Sequence, residues 1–329
     1  MKKIINKPAD AVSEMLAGMA RAHPELEYAE GLEVIARKDR TKRKVGVISG
    51  GGSGHEPAHA GYVGYGMLDA AVVGNVFSSP SPDRISKGIE LANTGAGVLL
   101  VVKNYSGDIM NFEMSKELAE MDGAELDMVV IKDDVAVPDS TYSTGRRGIA
   151  GTVLVHKIAG AKAEAGGSLA EVKAAAEKAV AGLRSMGMAM SPCILPAVGK
   201  PGFELGENEI EIGMSIHGEP GVERTGVKTA AELARILLDK ILEDLDYTGS
   251  EVAVLLNGLG ATPLMELYIL YGEVEALLRE KGIRIHKSLV GNYMTSLEMS
   301  GCSLTLMKLD DELKELLDYP CRTPGWTSL

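Results

Sequence analysis

Aromatic side chains are scarce in this 329-residue chain: Phe, Tyr and Trp together make up 4%. Apolar residues reach 45%, so a core has to be built from Ala, Val, Leu, Ile and Met. That suits helices packed on a parallel sheet better than a β-sandwich. Cysteine is scarce too. Cys193, Cys302 and Cys321 are far apart, odd in number and form no CxxC pair, which argues against a disulfide framework. Free thiols in a reducing cytoplasm are expected. No stretch approaches the ~18 apolar residues of a membrane helix. The opening MKKIINKPADAV has lysines but no apolar run behind them, so a signal peptide is not expected. Positive charge is in deficit, with a net charge of -12, and no basic stripe is interleaved with aromatics. Nucleic-acid binding therefore has no electrostatic support. An acidic surface favours solubility and can steer a basic partner face.

The standard phosphate loops are missing as well. No G-x-x-x-x-G-K-[ST] occurs, and residues 50–54 place His55 and Pro57 where a G-x-G-x-x-G turn needs its later glycine. If this chain handles phosphoryl groups, the nucleotide belongs on another protein.

Strand and helix patterns alternate through the first half. Apolar runs at 45–48, 70–73 and 97–102 read as buried strands, and 127–131 as another. Residues 9–20, 108–120, 149–165 and 169–182 read as helices, with Ser168 placed to cap the last. Residues 186–221 carry Gly, Pro and Met with little periodicity. Beyond them, 230–245 and 263–280 read as helices, and 251–256, 283–290 and 303–308 as strands. The expected fold is α/β in two domains, each a mostly parallel or mixed sheet flanked by helices. The first is expected at residues 1–188 and the second at 189–329.

Four polar, glycine-rich turns follow strands: residues 49–59 (SGGGSGHEPAH), 74–82 (GNVFSSPSP), 103–108 (KNYSGD) and 257–263 (NGLGATP). Ligands in open parallel sheets sit at the carboxyl ends of strands, where such turns converge. Each could also be an ordinary tight turn, but three of similar character in one half favour a site. HEPAH matches HExxH formally. Pro57 can occupy only a first helical turn, so a zinc site is the weak reading. His55 lies at the tip of the glycine turn, and His59 reads as incidental. Asp108 follows the strongest strand as either a general base or a cap for the helix behind it. Lys103 is either a donor to substrate or a solvated strand end. His217 closes 211–221 (EIGMSIHGEPG), where alternation suggests a strand, and is either a structural hydrogen-bonder or a nucleophile. His23, His156 and His286 read as structural or surface groups.

Taken together, GGGSGHEPAH (50–59), GNVFSSP (74–80), VKNYSGD (102–108), TGRRGIAG (144–151), GKP (199–201) and IGMSIHGEPG (212–221) resemble the dihydroxyacetone kinases, and within them the separate K subunit served by a phosphotransferase-system donor. The resemblance covers most of the chain. It implies that His217 adds to the ketone carbon as a hemiaminal. It implies that His55 and Asp108 are the acid/base residues at the phosphorylated hydroxyl. Gly52, Ser53, Gly54 and Lys103 would hydrogen-bond the substrate, with Ser79 lining the pocket. It implies no cofactor or metal on this chain. The nucleotide (ADP/ATP) and Mg2+ are expected on a separate L subunit recharged by an M phosphocarrier, because 329 residues leave no room for a fused nucleotide region. A homodimer is expected. A four-carbon keto-sugar substrate, or a ketose-sensing regulator, are the alternatives.

Overall fold

The computed structural model describes residues 2–138 and 145–329; Thr144, the first residue of the TGRRGIAG motif, lies outside the described residues. Two compact units share the chain. One gathers Met1–Ile131, Leu154–Lys178 and Glu315–Leu329; the other gathers Lys132–Val153 and Ala179–Lys314. A single cut after residue 188 is therefore corrected on two counts. Residue 188 lies inside a strand of the second unit, and short segments return to the opposite unit from both halves of the sequence. The cause is packing. Val135 and Ala136 join the second apolar core, and the Ser185 amide donates to the Asp133 carbonyl at 2.7 Å.

The first unit holds a sheet of β1 (Leu26–Ala29), β2 (Val34–Arg37), β3 (Gly46–Ser53), β4 (Ala70–Val76), β5 (Val98–Lys103) and β6 (Leu126–Ile131), in the order β1-β2-β4-β3-β5-β6. The pairs β3–β4, β3–β5 and β5–β6 are parallel, while β1 and β2 add an antiparallel edge. Every residue of β3 and β5 is buried. Continuous apolar strands such as VLLVVK need cover on both faces, which the helices of βαβ crossovers supply. The helices are α1 (Ala11–Ala22), α2 (Pro82–Ala92), α3 (Ser106–Met121), α4 (Thr152–Glu164) and α5 (Leu169–Ala181). Ser168 caps α5 as expected: its hydroxyl accepts from the Glu171 amide at 3.4 Å, and Glu171 accepts from the Ser168 amide at 2.8 Å.

The second unit holds β7 (Leu183–Ser191), β8 (Glu209–Ile212), β9 (Glu223–Gly226), β10 (Glu251–Gly258), β11 (Arg284–Gly291) and β12 (Ser300–Leu309), in the order β11-β10-β12-β7-β8-β9. Only β10 and β11 pair in parallel, so this sheet is mixed. Helices α6 (Ala230–Asp244) and α7 (Leu264–Glu280) pack on it, and α8 (Asp311–Asp318) follows β12. The Met- and Gly-rich β7 (LRSMGMAMS) is buried on both faces over most of its length, so it shows no alternation in sequence. The last ordered pair is β13 (Cys321–Arg322) with β14 (Thr327–Ser328). All three cysteines are buried, and none of them is in a disulfide.

Gly160 in α4 is where backbone meets backbone. A Cβ there would overlap the Cα, carbonyl carbon and oxygen of Met67, none of which can swing aside. Helix propensity alone favours Ala over Gly by about 1 kcal/mol. Overpacking costs about 1–3 kcal/mol and more when backbone must move. Gly160→Ala is expected to lower stability by about 1–2 kcal/mol, read as a lower denaturant midpoint.

Candidate active site

The glycine run at the end of β3 brings main chain against three charged or polar groups. Gly51 has φ +155°, and a Cβ on it would collide with Lys103 Nζ and stand 3.5 Å from both Asp108 Oδ2 and His59 Nε2. Only glycine leaves room for that convergence. Lys103 ends β5 and is fully buried, so the solvated reading is overturned. Its ammonium lies 3.5 Å from Asp108 Oδ2 and 3.3 Å from His59 Nε2. Asp108 lies in the first turn of α3. The helix opens at Ser106 with Tyr105 as its N-cap, so Asp108 is not the cap. It is nearly buried, and its Oδ1 has no hydrogen-bond partner among the described residues. Ser53 Oγ, at the end of β3, is in the same condition. Buried polar atoms without partners cost about 1–3 kcal/mol each. They are expected where a ligand hydroxyl completes the set.

His55 is buried, and its ring stacks on Phe77 at 5.0 Å between centroids. Phe77 also faces Gly54, where a Cβ would stand 2.7 Å from the ring, and its amide donates to the Ser53 carbonyl at 3.0 Å. At Gly52 a Cβ would come within 2.5 Å of the Ser78 amide. The 49–59 and 74–82 turns are thus packed together backbone to backbone. Ser79 is half-buried beside the start of α3: its Oγ is 2.8 Å from where a Cβ on Gly107 would stand. Of the residues expected at the site, the first unit therefore brings Gly52, Ser53, Gly54, His55 and Ser79 onto two interlocked turns, and Lys103 and Asp108 together at the adjoining strand and helix ends.

Residues 55–59 form a turn leading to a short 3-10 helix (Ala60–Tyr62), not the established helix that HExxH needs. Among the described residues, no group of three His, Cys, Asp or Glu side chains is arranged to hold a metal ion. His59 and His156 are the surprises. Both are buried, their rings linked Nδ1 to Nε2 at 2.9 Å. Burial and then the Lys103 charge push His59 well down, and the same two causes put His156 at about 3. Glu56 was also missed: both its oxygens accept from the Gly54 amide, at 3.0 and 3.2 Å, and burial raises its carboxyl.

His217 belongs to the second unit. It sits in a turn, since β8 stops at Ile212; the strand expected up to His217 is corrected. Gly213 has φ +81° and breaks the ladder there, its amide donating to the Gly187 carbonyl at 2.7 Å. The turn is closed by the Gly218 amide donating to the Ser215 carbonyl at 3.1 Å. Glu219 clamps the histidine: Nδ1 donates to Oε1 at 2.9 Å, and the His217 amide donates to Oε2 at 3.1 Å. Burial pushes the Glu219 carboxyl up, but the hydrogen bond and charge of His217 outweigh it and hold it at about 2. A proton held on Nδ1 leaves the ring's lone pair on Nε2. Arg147, from the GRRG stretch, donates to the Gly213 carbonyl at 3.0 Å and pairs with Asp134 at 2.8 Å. Its charge also helps to keep Glu219 ionised. The GEP that follows His217 was the one available hint of this clamp.

An α/β protein is thus defined whose ends of parallel strands gather a buried lysine–aspartate pair, and whose second sheet presents a carboxylate-held imidazole. The Dak1 domain family profile matches residues 17–325, and the chain belongs to that family. It is 54% identical over 329 residues to the "PTS-dependent dihydroxyacetone kinase 1, dihydroxyacetone-binding subunit DhaK" of Listeria innocua, covering 99% of this chain and 100% of that one. Among solved structures it is similar to a "Dihydroxyacetone kinase operon co-activator" (TM-score 0.92, 36% identity, 96% of this chain and 98% of that one). It is also similar to the dihydroxyacetone kinase of C. freundii (TM-score 0.90, 38% identity), covering 99% of this chain but 60% of that one. The resemblance read from the motifs and the α/β fold are thereby upheld. No helix among the described residues is long and apolar enough to cross a membrane.

The neutral, buried His156 has a thermodynamic signature. An unfolded imidazole titrates near ~6.5. As pH falls below that, the unfolded chain binds a proton that the folded one refuses until about 3, so this group makes stability fall with pH across that window. Denaturant midpoints of His156→Leu are expected to decline less steeply than those of the native chain between pH 6.5 and 4. Parallel slopes would show that the ring is not held neutral.

Proposed function

We propose that this chain is the dihydroxyacetone-binding subunit of a dihydroxyacetone kinase fed by a phosphotransferase system. One observation carries the chemistry: His217 donates Nδ1–H to Glu219 at 2.9 Å, which directs its lone pair to Nε2. That nitrogen attacks the ketone carbon. The carbonyl π pair moves to oxygen, which takes up a proton, and the ring gives up its Nδ1 proton, so the hemiaminal is a net addition. Glu219, ionised before attack, favours the positive ring that forms and passes on the Nδ1 proton that the ring gives up. A polyol carbon offers no such electrophile, so capture separates the ketone from glycerol, which matches it in size and hydroxyls.

The captured ketone presents a terminal hydroxyl. Asp108 is its base, and Oδ1, unpartnered among the described residues, is the atom for the incoming proton. Lys103 holds the other oxygen and offsets charge growing on the substrate. His55, Ser53, Ser79 and the amides near Gly52 and Gly54 orient the hydroxyls. The oxygen then attacks phosphorus, a step that needs alignment and charge neutralisation more than covalent help. The phosphoryl donor, with its nucleotide and Mg2+, is assigned to a separate L subunit recharged by an M phosphocarrier, and the subunit itself is taken as a homodimer. The match to the Listeria subunit from end to end supports this division. A co-activator shares the fold, so fold alone does not select the enzyme. The Lys103–Asp108 pair, which ligand sensing does not require, favours catalysis.

Intact-mass measurement after incubation with dihydroxyacetone is expected to show a ketone adduct that is absent in His217→Ala and reduced in Glu219→Gln. Asp108→Asn is expected to keep the adduct and to lose turnover with the L partner by about 10²–10⁴-fold. An undiminished adduct in His217→Ala would remove His217 from the mechanism. Full turnover in Asp108→Asn would remove the base.

A further inference from the structure

Behind the Lys103–Asp108 pair lies a row of buried polar groups that the chemistry above does not use. Lys103 Nζ stands 3.3 Å from His59 Nε2, and His59 Nδ1 stands 2.9 Å from His156 Nε2. Ser49 Oγ approaches His59 Nδ1 at 3.4 Å while donating to the Val101 carbonyl at 2.6 Å. All four side chains are buried, with exposures between 0 and 3%. An ammonium only donates, so His59 Nε2 must accept. Its proton is then on Nδ1 and is given to His156 Nε2, with the Ser49 lone pair turned toward the same hydrogen. His156 in turn carries its proton on Nδ1, an atom with no partner among the described residues. The network permits one order of protons from the lysine outward.

We infer that His59 and His156 are positioning residues: a two-imidazole relay that anchors the buried Lys103 ammonium from behind without neutralising it, and so fixes it on Asp108. The inference rests on the kinase reading for what Lys103 and Asp108 do, but the proton order is a property of the folded chain alone. A carboxylate in place of His59 would also satisfy the ammonium. It would cancel the charge that Lys103 supplies to Asp108 and to a substrate oxygen. An apolar residue would leave a buried ammonium short of an acceptor, which is costly. A neutral imidazole does neither. It can hold only one tautomer, because the second imidazole accepts at its far side. Two aspects of the surroundings enforce this. Burial opposes a second proton on either ring, and Gly51, lacking a Cβ, leaves free the place that the Lys103 amine occupies beside β3. His59 is thus not the incidental second histidine of HEPAH. It gives the amine of a fully buried lysine an acceptor beside its single carboxylate.

The test has two arms. In the intact native chain, 15N-resolved histidine spectra are expected to show His59 and His156 both neutral, each protonated on Nδ1. A charged ring, or a proton on His59 Nε2, would overturn the inference whatever the fate of the kinase reading. In the assembled kinase, His59→Leu and His156→Leu are expected to leave the ketone adduct and KM near native while kcat falls by about 10- to 100-fold, the effect of misplacing a reacting group by about 1 Å. His59→Gln, whose side-chain oxygen can accept from Lys103, is expected to recover most of that loss. If His59→Gln is no better than His59→Leu, or if adduct and kcat fall in parallel, the rings serve only to fill space. If neither leucine variant folds, the spectra of the native chain decide alone. Absence of the adduct in the native chain would count against the kinase reading and not against the relay.

Discussion

A lysine ammonium shut away from water sets the terms for the first unit. Lys103 needs partners for its hydrogens and a counter-charge, and it finds a carboxylate on one side and a neutral imidazole on another. Much of the local architecture follows from meeting those needs. The end of β3 has to be glycine, because Gly51 passes where any side chain would strike the amine. The α3 helix has to begin two residues ahead of Asp108, so that the carboxylate comes from its first turn. The rings of His59 and His156 have to be kept neutral, which burial accomplishes. The pair would be expensive as a purely structural device, since buried ion pairs rarely repay their desolvation. An aspartate oxygen without a partner among the described residues points to a binding role.

The second unit solves a smaller problem in a similar way. His217 is more exposed than the groups around Lys103, and its ring is fixed by a carboxylate two residues along the chain. Gly213 ends the ladder of β8, and the following turn is short enough that Glu219 reaches both the ring and the amide of His217. Arg147 ties that turn to Asp134 through the Gly213 carbonyl. The GRRG and IHGEPG stretches, far apart in sequence, are therefore one piece of structure. In the proposed reaction the clamp supplies direction, selecting which nitrogen attacks, and the lysine–aspartate pair supplies the base and the charge.

What could be read in advance follows a physical line. Strands such as VLLVVK and the Ser168 cap announce themselves through local composition, and both stand as expected. Strands β1, β2 and β9 were not foreseen, and β8 was expected too far along the chain, toward His217: each is only four residues long and gains its stability from neighbours distant in sequence. The long β7 escaped because burial on both faces erases alternation. Chemistry-bearing residues at strand ends and glycine turns, such as Lys103, Asp108 and His55, were visible as candidates. Their partners were not. His156 lies 97 residues from His59, and nothing near it in sequence signals that contact. Glu219 lay within the motif and could have been found by asking what holds the Nδ1 proton. The domain division was hidden for the same reason, since residues 132–153 and 315–329 belong with elements remote along the chain.

The account turns on whether the ketone carbon becomes tetrahedral on His217. Carbon-13 NMR of the protein with dihydroxyacetone labelled at its central carbon tests this directly. The account predicts a protein-bound signal in the region of a carbon bearing both oxygen and nitrogen, coupled to nitrogen in 15N-histidine protein and lost in His217→Ala. A bound ketone that keeps its carbonyl signal, with no coupling to histidine nitrogen, would contradict it.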